Sequence, residues 1–156
     1  MNNAMKTGVR GILVVFALAA APFAAAQVKA TDGWVRATPP GSTVSAAYIT
    51  LANPGDEERK LLKIVSPVTD EVSLHRTSID EQGMSRMWPL AMLAVAPGQT
   101  LRMEPGGVHL MLNKLKAPLV AGQKVPLTLK FDGGEPEFTI LLEVRPLVPE
   151  AAGGKR

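Results

Sequence analysis

Lys124-Val125-Pro126-Leu127-Thr128-Leu129-Lys130-Phe131 decides the fold class. Val125, Leu127, Leu129 and Phe131 recur at every second position, while Lys124, Thr128 and Lys130 occupy the alternate ones. A period of two belongs to an extended chain with one face on a core and the other in water. Pro126 has no amide proton to donate, which predicts an edge position for this strand. Outward from it, further β-type runs are broken by Gly, Pro, Asn and Asp. Ser45 to Leu51 ends at the turn signal Asn53-Pro54-Gly55-Asp56. Lys60 to Val65, Glu71 to Ile79, Met84 to Leu90 and Met92 to Val95 follow, then Leu101 to Met103, His109 to Leu112 and Glu137 to Val144. No long amphipathic helix interrupts them, so the pattern is that of an all-β sandwich or barrel.

The first 26 residues read differently. Lys6 and Arg10 precede an uncharged apolar run from Gly11 to Ala26, and Ala24-Ala25-Ala26 supplies the small residues that a signal peptidase accepts. The expectation is a signal peptide over 1–26, a single β-sandwich domain over 27–147 and a flexible tail over 148–156. An exported chain of this kind is expected to be periplasmic and free of the membrane after cleavage. Removing Lys6 and Arg10 leaves 15 basic residues against 14 acidic ones. That near-neutral balance, with few aromatic side chains, carries no nucleic-acid footprint. The cysteine count is zero, which excludes thiolate zinc sites, blue-copper centres, CxxC redox pairs and a lipid-bearing cysteine.

Function is concentrated in one window. After residue 26 the chain has five methionines and two histidines, all between His75 and Met111: His75, Met84, Met87, Met92, Met103, His109 and Met111. Methionine used only to fill gaps in a core has no reason to cluster with every histidine. In a strand, His109 and Met111 project from one face and Leu110 from the other. Asp80-Glu81-Gln82-Gly83 has the residues of a type I turn closing a hairpin with a glycine bulge. That turn pairs Asp80 with Met84 and sets His75 opposite Pro89, so His75 and Met87 become diagonal neighbours on one face. Met84 then points away, and Met92 and Met103 are expected to pack in the core. Thioethers are soft, neutral ligands that favour Cu(I), and imidazole accepts it. No acidic residue has motif spacing to join them, and Arg76, Arg86 and Arg102 are near in sequence, so a filled site would be cationic.

The spacing His75, Arg76, ten residues, Met87, twenty-one residues, His109-Leu110-Met111 resembles the H-(M)-x10-M-x21-H-x-M motif of the PCuAC periplasmic copper chaperones. Ala46-Ala47-Tyr48 to Asn53, Gly83 to Met87 and Pro105 to Leu112 look like the same family, over about residues 31–146. The resemblance implies a cupredoxin-like Greek-key β-sandwich with His75, Met87, His109 and Met111 as copper ligands. It further implies delivery of Cu(I) toward the CuA site of cytochrome c oxidase, to its subunit II directly or through a Sco-type thioredoxin-like protein. Arg76 replaces the optional methionine, and the tail lacks the His and Met of some relatives, so one Cu(I) per chain and a monomer are expected. Without a G-x-S-x-G elbow, an HExxH or a cysteine nucleophile, the chain reads as a non-enzyme. The competing expectation is a non-metal β-sandwich interaction or assembly module with a methionine-rich core.

Overall fold

The structure is a computed structural model that describes residues 27–146. The expected signal peptide over 1–26 and the tail over 148–156 lie outside the described residues. Ten strands follow one another with no helix among the described residues: β1 (Lys29–Arg36), β2 (Ser45–Ala52), β3 (Arg59–Val65), β4 (Thr69–Ile79), β5 (Ser85–Pro89), β6 (Ala94–Val95), β7 (Thr100–Arg102), β8 (Val108–Leu115), β9 (Lys124–Phe131) and β10 (Phe138–Arg145). Hydrogen bonding runs in the order β5-β4-β8-β2-β1-β10-β9-β3-β6, with β7 added beside β2. β8 lies between β4 and β2, and β1 pairs β10 and β9 pairs β3, so the chain crosses over between layers as a sandwich requires. The β1–β10 pair is parallel; the others are antiparallel.

Alternation builds the core as its period dictates. Val125, Leu127, Leu129 and Phe131 of β9 are buried with Leu142 and Val144 of β10, and Ala47, Ile49 and Leu51 of β2 meet Leu110 and Leu112 of β8 in the same cluster. Each fully buried aliphatic side chain contributes roughly 1.5–3 kcal/mol of transfer free energy. The residues between them on β2, β4 and β8 project to the opposite face. That second face carries the site.

Two strand expectations need correction. β9 is an interior strand, paired to β10 from Lys124 to Leu129 and to β3 from Thr128 to Phe131. Pro126 is tolerated because β3 has already ended at that level, where the Ser66 hydroxyl donates to the Pro126 carbonyl at 2.6 Å. β1 is not among the expected strands, which begin at Ser45; its run is interrupted by Asp32-Gly33. That interruption is a β-bulge: the register with β2 shifts between Thr31 and Trp34, and Asp32 adopts φ of 51°. A Cβ at Gly33 would collide with the Leu142 side chain, so glycine is required by close packing rather than by a chain reversal.

Candidate metal centre

The hairpin β4–β5 has the expected register. His75 lies opposite Pro89 and Thr77 opposite Met87, which makes His75 and Met87 diagonal neighbours. The turn closes through the Gly83 amide donating to the Asp80 carbonyl (2.9 Å) and the Asp80 amide donating to the Met84 carbonyl (3.0 Å). The Asp80 carboxylate accepts the Gln82 and Met84 amides as well, and Gly83 takes φ of 78°. Only glycine adopts that conformation without cost, so four adjacent residues set the alignment of His75 with Met87.

β8 completes the face from the other side of β4. His75 is directly opposite His109, and Ser73 directly opposite Met111. The two imidazole rings stack with centroids 6.0 Å apart and planes inclined by 24°. On the far side of β8, Met111 lies opposite Ala46 of β2. His75, Met87, His109 and Met111 therefore share one sheet face spanning β5, β4 and β8. A cavity of about 430 Å³ over this face is lined by Met87, His109 and Met111. His75 is half-buried beside His109 and is not among the lining residues.

The four donors differ in exposure, and their hydrogen bonding separates them further. His109 is 4% exposed and its Nδ1–H donates to the Gly107 carbonyl at 3.0 Å, because a carbonyl can only accept. Nε2 is then the nitrogen with the lone pair, and the ring is held in place. His75 Nδ1 is buried with no hydrogen-bond partner. A desolvated ring nitrogen left alone is costly, and such atoms are rare in native proteins. Met87 is 51% exposed. Among the described residues, no group of three or more His, Cys, Asp or Glu side chains is placed to hold a metal ion. Two imidazoles and two thioethers are what this face offers.

Other methionines divide as strand parity implies, with one exception. Met84 is exposed at the hairpin turn and Met103 is buried in the core, as expected. Met92 is 57% exposed and is not a core residue; its neighbours Leu93 and Val95 are the ones buried. With Met103 alone among the five fully buried, the core is not rich in methionine. Reasoning from sequence also missed Arg36, Tyr48 and Gly107. Tyr48 is on the site face of β2, its ring 4.4 Å from Trp34 and 6.3 Å from His109. Burial pushes its phenol above the ordinary tyrosine value, partly offset by the Arg36 guanidinium. Arg36 lines the cavity, whereas Arg76 and Arg86 sit at the strand positions that face away from it, and Arg102 lines a separate one. Alternation in Ser45 to Leu51 could have placed Tyr48 on the site face; nothing local could have placed Arg36 there.

An all-β cupredoxin-like sandwich carrying a His/Met face is the class of protein these features define. The family model described as "Putative lipoprotein LpqE-like" matches residues 28–140, and the chain belongs to this LpqE-like family. No cysteine occurs in the 156 residues, so a lipid-bearing cysteine is not among them. The chain is 34% identical over 107 residues to "Putative lipoprotein Lxx21020" of Leifsonia xyli subsp. xyli, a match spanning 69% of this chain and 63% of that protein. It is 32% identical over 89 residues to "Uncharacterized protein RP573" of Rickettsia prowazekii, spanning 56% and 49%. The chain thus spans less than two thirds of either relative.

Among solved structures, the copper-bound PCuAC domain from PmoF2 superposes with a TM-score of 0.66 at 23% identity, over 80% of this chain and 97% of that one. That likeness is one of fold. The solution structure of CuI-DR1885 from Deinococcus radiodurans matches at 30% identity and a TM-score of 0.58, over 78% of each chain. The fold expected from the PCuAC resemblance is the fold observed.

Proposed function

We propose that this chain is a periplasmic Cu(I) metallochaperone that carries one Cu(I) on His75, Met87, His109 and Met111. The observation that carries this reading is the pair of stacked histidines with unlike partners. His109 has Nδ1 engaged by Gly107, which leaves Nε2 for a metal, and His75 keeps a buried nitrogen that nothing satisfies. Two thioethers on the same face supply the soft donors that select Cu(I) over zinc. Copper-bound relatives of the same fold support the assignment.

Exposure of the donors suggests how cargo moves. His109 is the fixed inner ligand, and Met87, half-exposed on the edge strand β5, is the ligand an acceptor reaches first. Neutral thioethers release Cu(I) by ligand exchange without a proton transfer. The recipient in this reading is the CuA site of cytochrome c oxidase, reached through subunit II or a Sco-type protein, with export by the 1–26 leader. The chain performs no catalysis. The test is copper stoichiometry of the mature protein under a reductant, with X-ray absorption to count donors. One Cu(I) with two nitrogen and two sulfur neighbours is expected; a site without sulfur overturns the ligand set. Incubation of the loaded protein with an apo CuA domain, with and without a Sco-type protein, followed by removal of reductant and one-electron oxidation with ferricyanide, should develop the mixed-valence CuA absorption bands. Their absence in both arms overturns the delivery route.

A further inference from the structure

The cavity beside the proposed copper ligands has a charge pattern that the chaperone reading does not use. Arg36 is the sole charged side chain among the residues lining it, and no acidic residue lines it. Arg36 has no carboxylate within 4.0 Å among the described residues; its main-chain carbonyl is taken by the Ser45 hydroxyl at 2.5 Å, and its guanidinium is left over. Tyr48, on the same wall, senses that guanidinium electrostatically. The remaining lining is mostly apolar or small, Pro39, Val44 and Ala46 among it. A concave, mostly apolar space of about 430 Å³ with one convergent charge has the form of a small-ligand site.

We propose that this cavity binds a carboxylate attached to an apolar body, and that Cu(I) strengthens its binding. This rests on the ligand set assigned above. Two imidazoles and two thioethers are neutral, so a loaded site carries a full positive charge, and Arg36 adds a second with no acid beside them. An anion entering between them gains from both charges. Carboxylate oxygen is a hard donor, so it pairs with Arg36 and leaves the soft copper ligands in place. The carboxylate is either a free organic acid or an acidic side chain, flanked by apolar residues, on the protein that takes the copper. In the second case the cavity recognises that protein only when there is copper to hand over.

The experiment titrates 3-phenylpropionate, and separately a terminally blocked Leu-Asp-Leu peptide, into the apo and Cu(I)-loaded mature protein, with binding read by chemical shifts. Binding to the apo form is expected to be weak and to tighten about tenfold on copper loading, the size of a unit charge at this range in a partly solvated site. Arg36→Gln should lose about tenfold in carboxylate affinity in either form while Arg36→Lys retains most of it, and neither should change Cu(I) affinity or the X-ray absorption spectrum. Val44→Glu, which brings a carboxylate to the cavity rim, should weaken both ligands, and it serves if Arg36→Gln does not fold. The tighter of the two probes identifies the source of the carboxylate. Failure of both probes to bind, or equal binding by wild type and Arg36→Gln, overturns the proposal. If copper itself does not bind, the chaperone reading fails while the Arg36 site is still decided on the apo protein.

Discussion

β9 and β5 are both short strands, and they have opposite fates. Four of the eight residues of β9 are 0–1% exposed and the strand is paired on both sides; all five residues of β5 are exposed and it pairs only with β4. β9 holds the sandwich together, and β5 contributes one thioether to the proposed ligand set. The face between them is graded: buried His109 on β8, half-buried His75 on β4, then Met87 on the rim. The proposed chaperone, which would bind an ion and also release it, needs such a gradient. A fully buried ligand set would hold copper too rigidly for exchange, and a fully exposed one would not be preorganised.

Leu127→Ala attacks the buried half and should give the largest effect, a loss of about 2–5 kcal/mol in urea unfolding of the mature protein. Cu(I) affinity of the fraction that stays folded should be unchanged. A variant that keeps full stability would show that β9 is not the structural half.

Cu(I) addresses the other half. Binding to the native state alone raises stability by about 2.7 kcal/mol at a hundredfold excess over the dissociation constant, whereas Zn(II) at the same concentration should do little. Equal thermal shifts with the two ions would mean that the thioethers do not select the metal.

Within the hairpin the contrast narrows to neighbouring methionines. Met87→Leu and Met111→Leu nearly conserve volume, so the apo protein should change by less than about 1.5 kcal/mol. Each should nonetheless lower Cu(I) affinity at least about tenfold, about 1.4 kcal/mol, in competition with a Cu(I) chelator. Met84→Leu and Met103→Leu should leave it nearly intact. A larger loss from Met84→Leu than from Met87→Leu would refute the assignment of the face.

The smallest effect concerns Tyr48, on the boundary between the halves. Burial is the chief cause that raises its folded phenol above the ordinary tyrosine value. The native state therefore holds this proton more tightly than the unfolded chain does. Stability is fully present below the unfolded value and is lost as pH rises through the folded one. Alkaline unfolding should accordingly be less steep in Tyr48→Phe than in wild type above about pH 10. Identical slopes would place the phenol in water rather than under Trp34.

Much of this was legible in the chain because it is local. Alternation over 124–131 determined which side chains of β9 face inward, since successive residues of a strand point to opposite sides whatever the surroundings. Asp80 to Gly83 determined the hairpin register, and with it the His75/Met87 diagonal, because a turn of that type admits one pairing. The two-residue step from His109 to Met111 determined their common face in the same way. Long-range neighbours are another matter. That β9 is interior despite Pro126, that Asp32-Gly33 is a bulge pressed against Leu142, and that Met92 is exposed depended on which strand or layer packed alongside. Only the tertiary structure set His75 opposite His109, thirty-four positions on, and brought Arg36 of β1 to the cavity that His109 borders. Such pairings are chosen by how two layers bury their apolar faces together, a property of the whole chain that no single segment encodes.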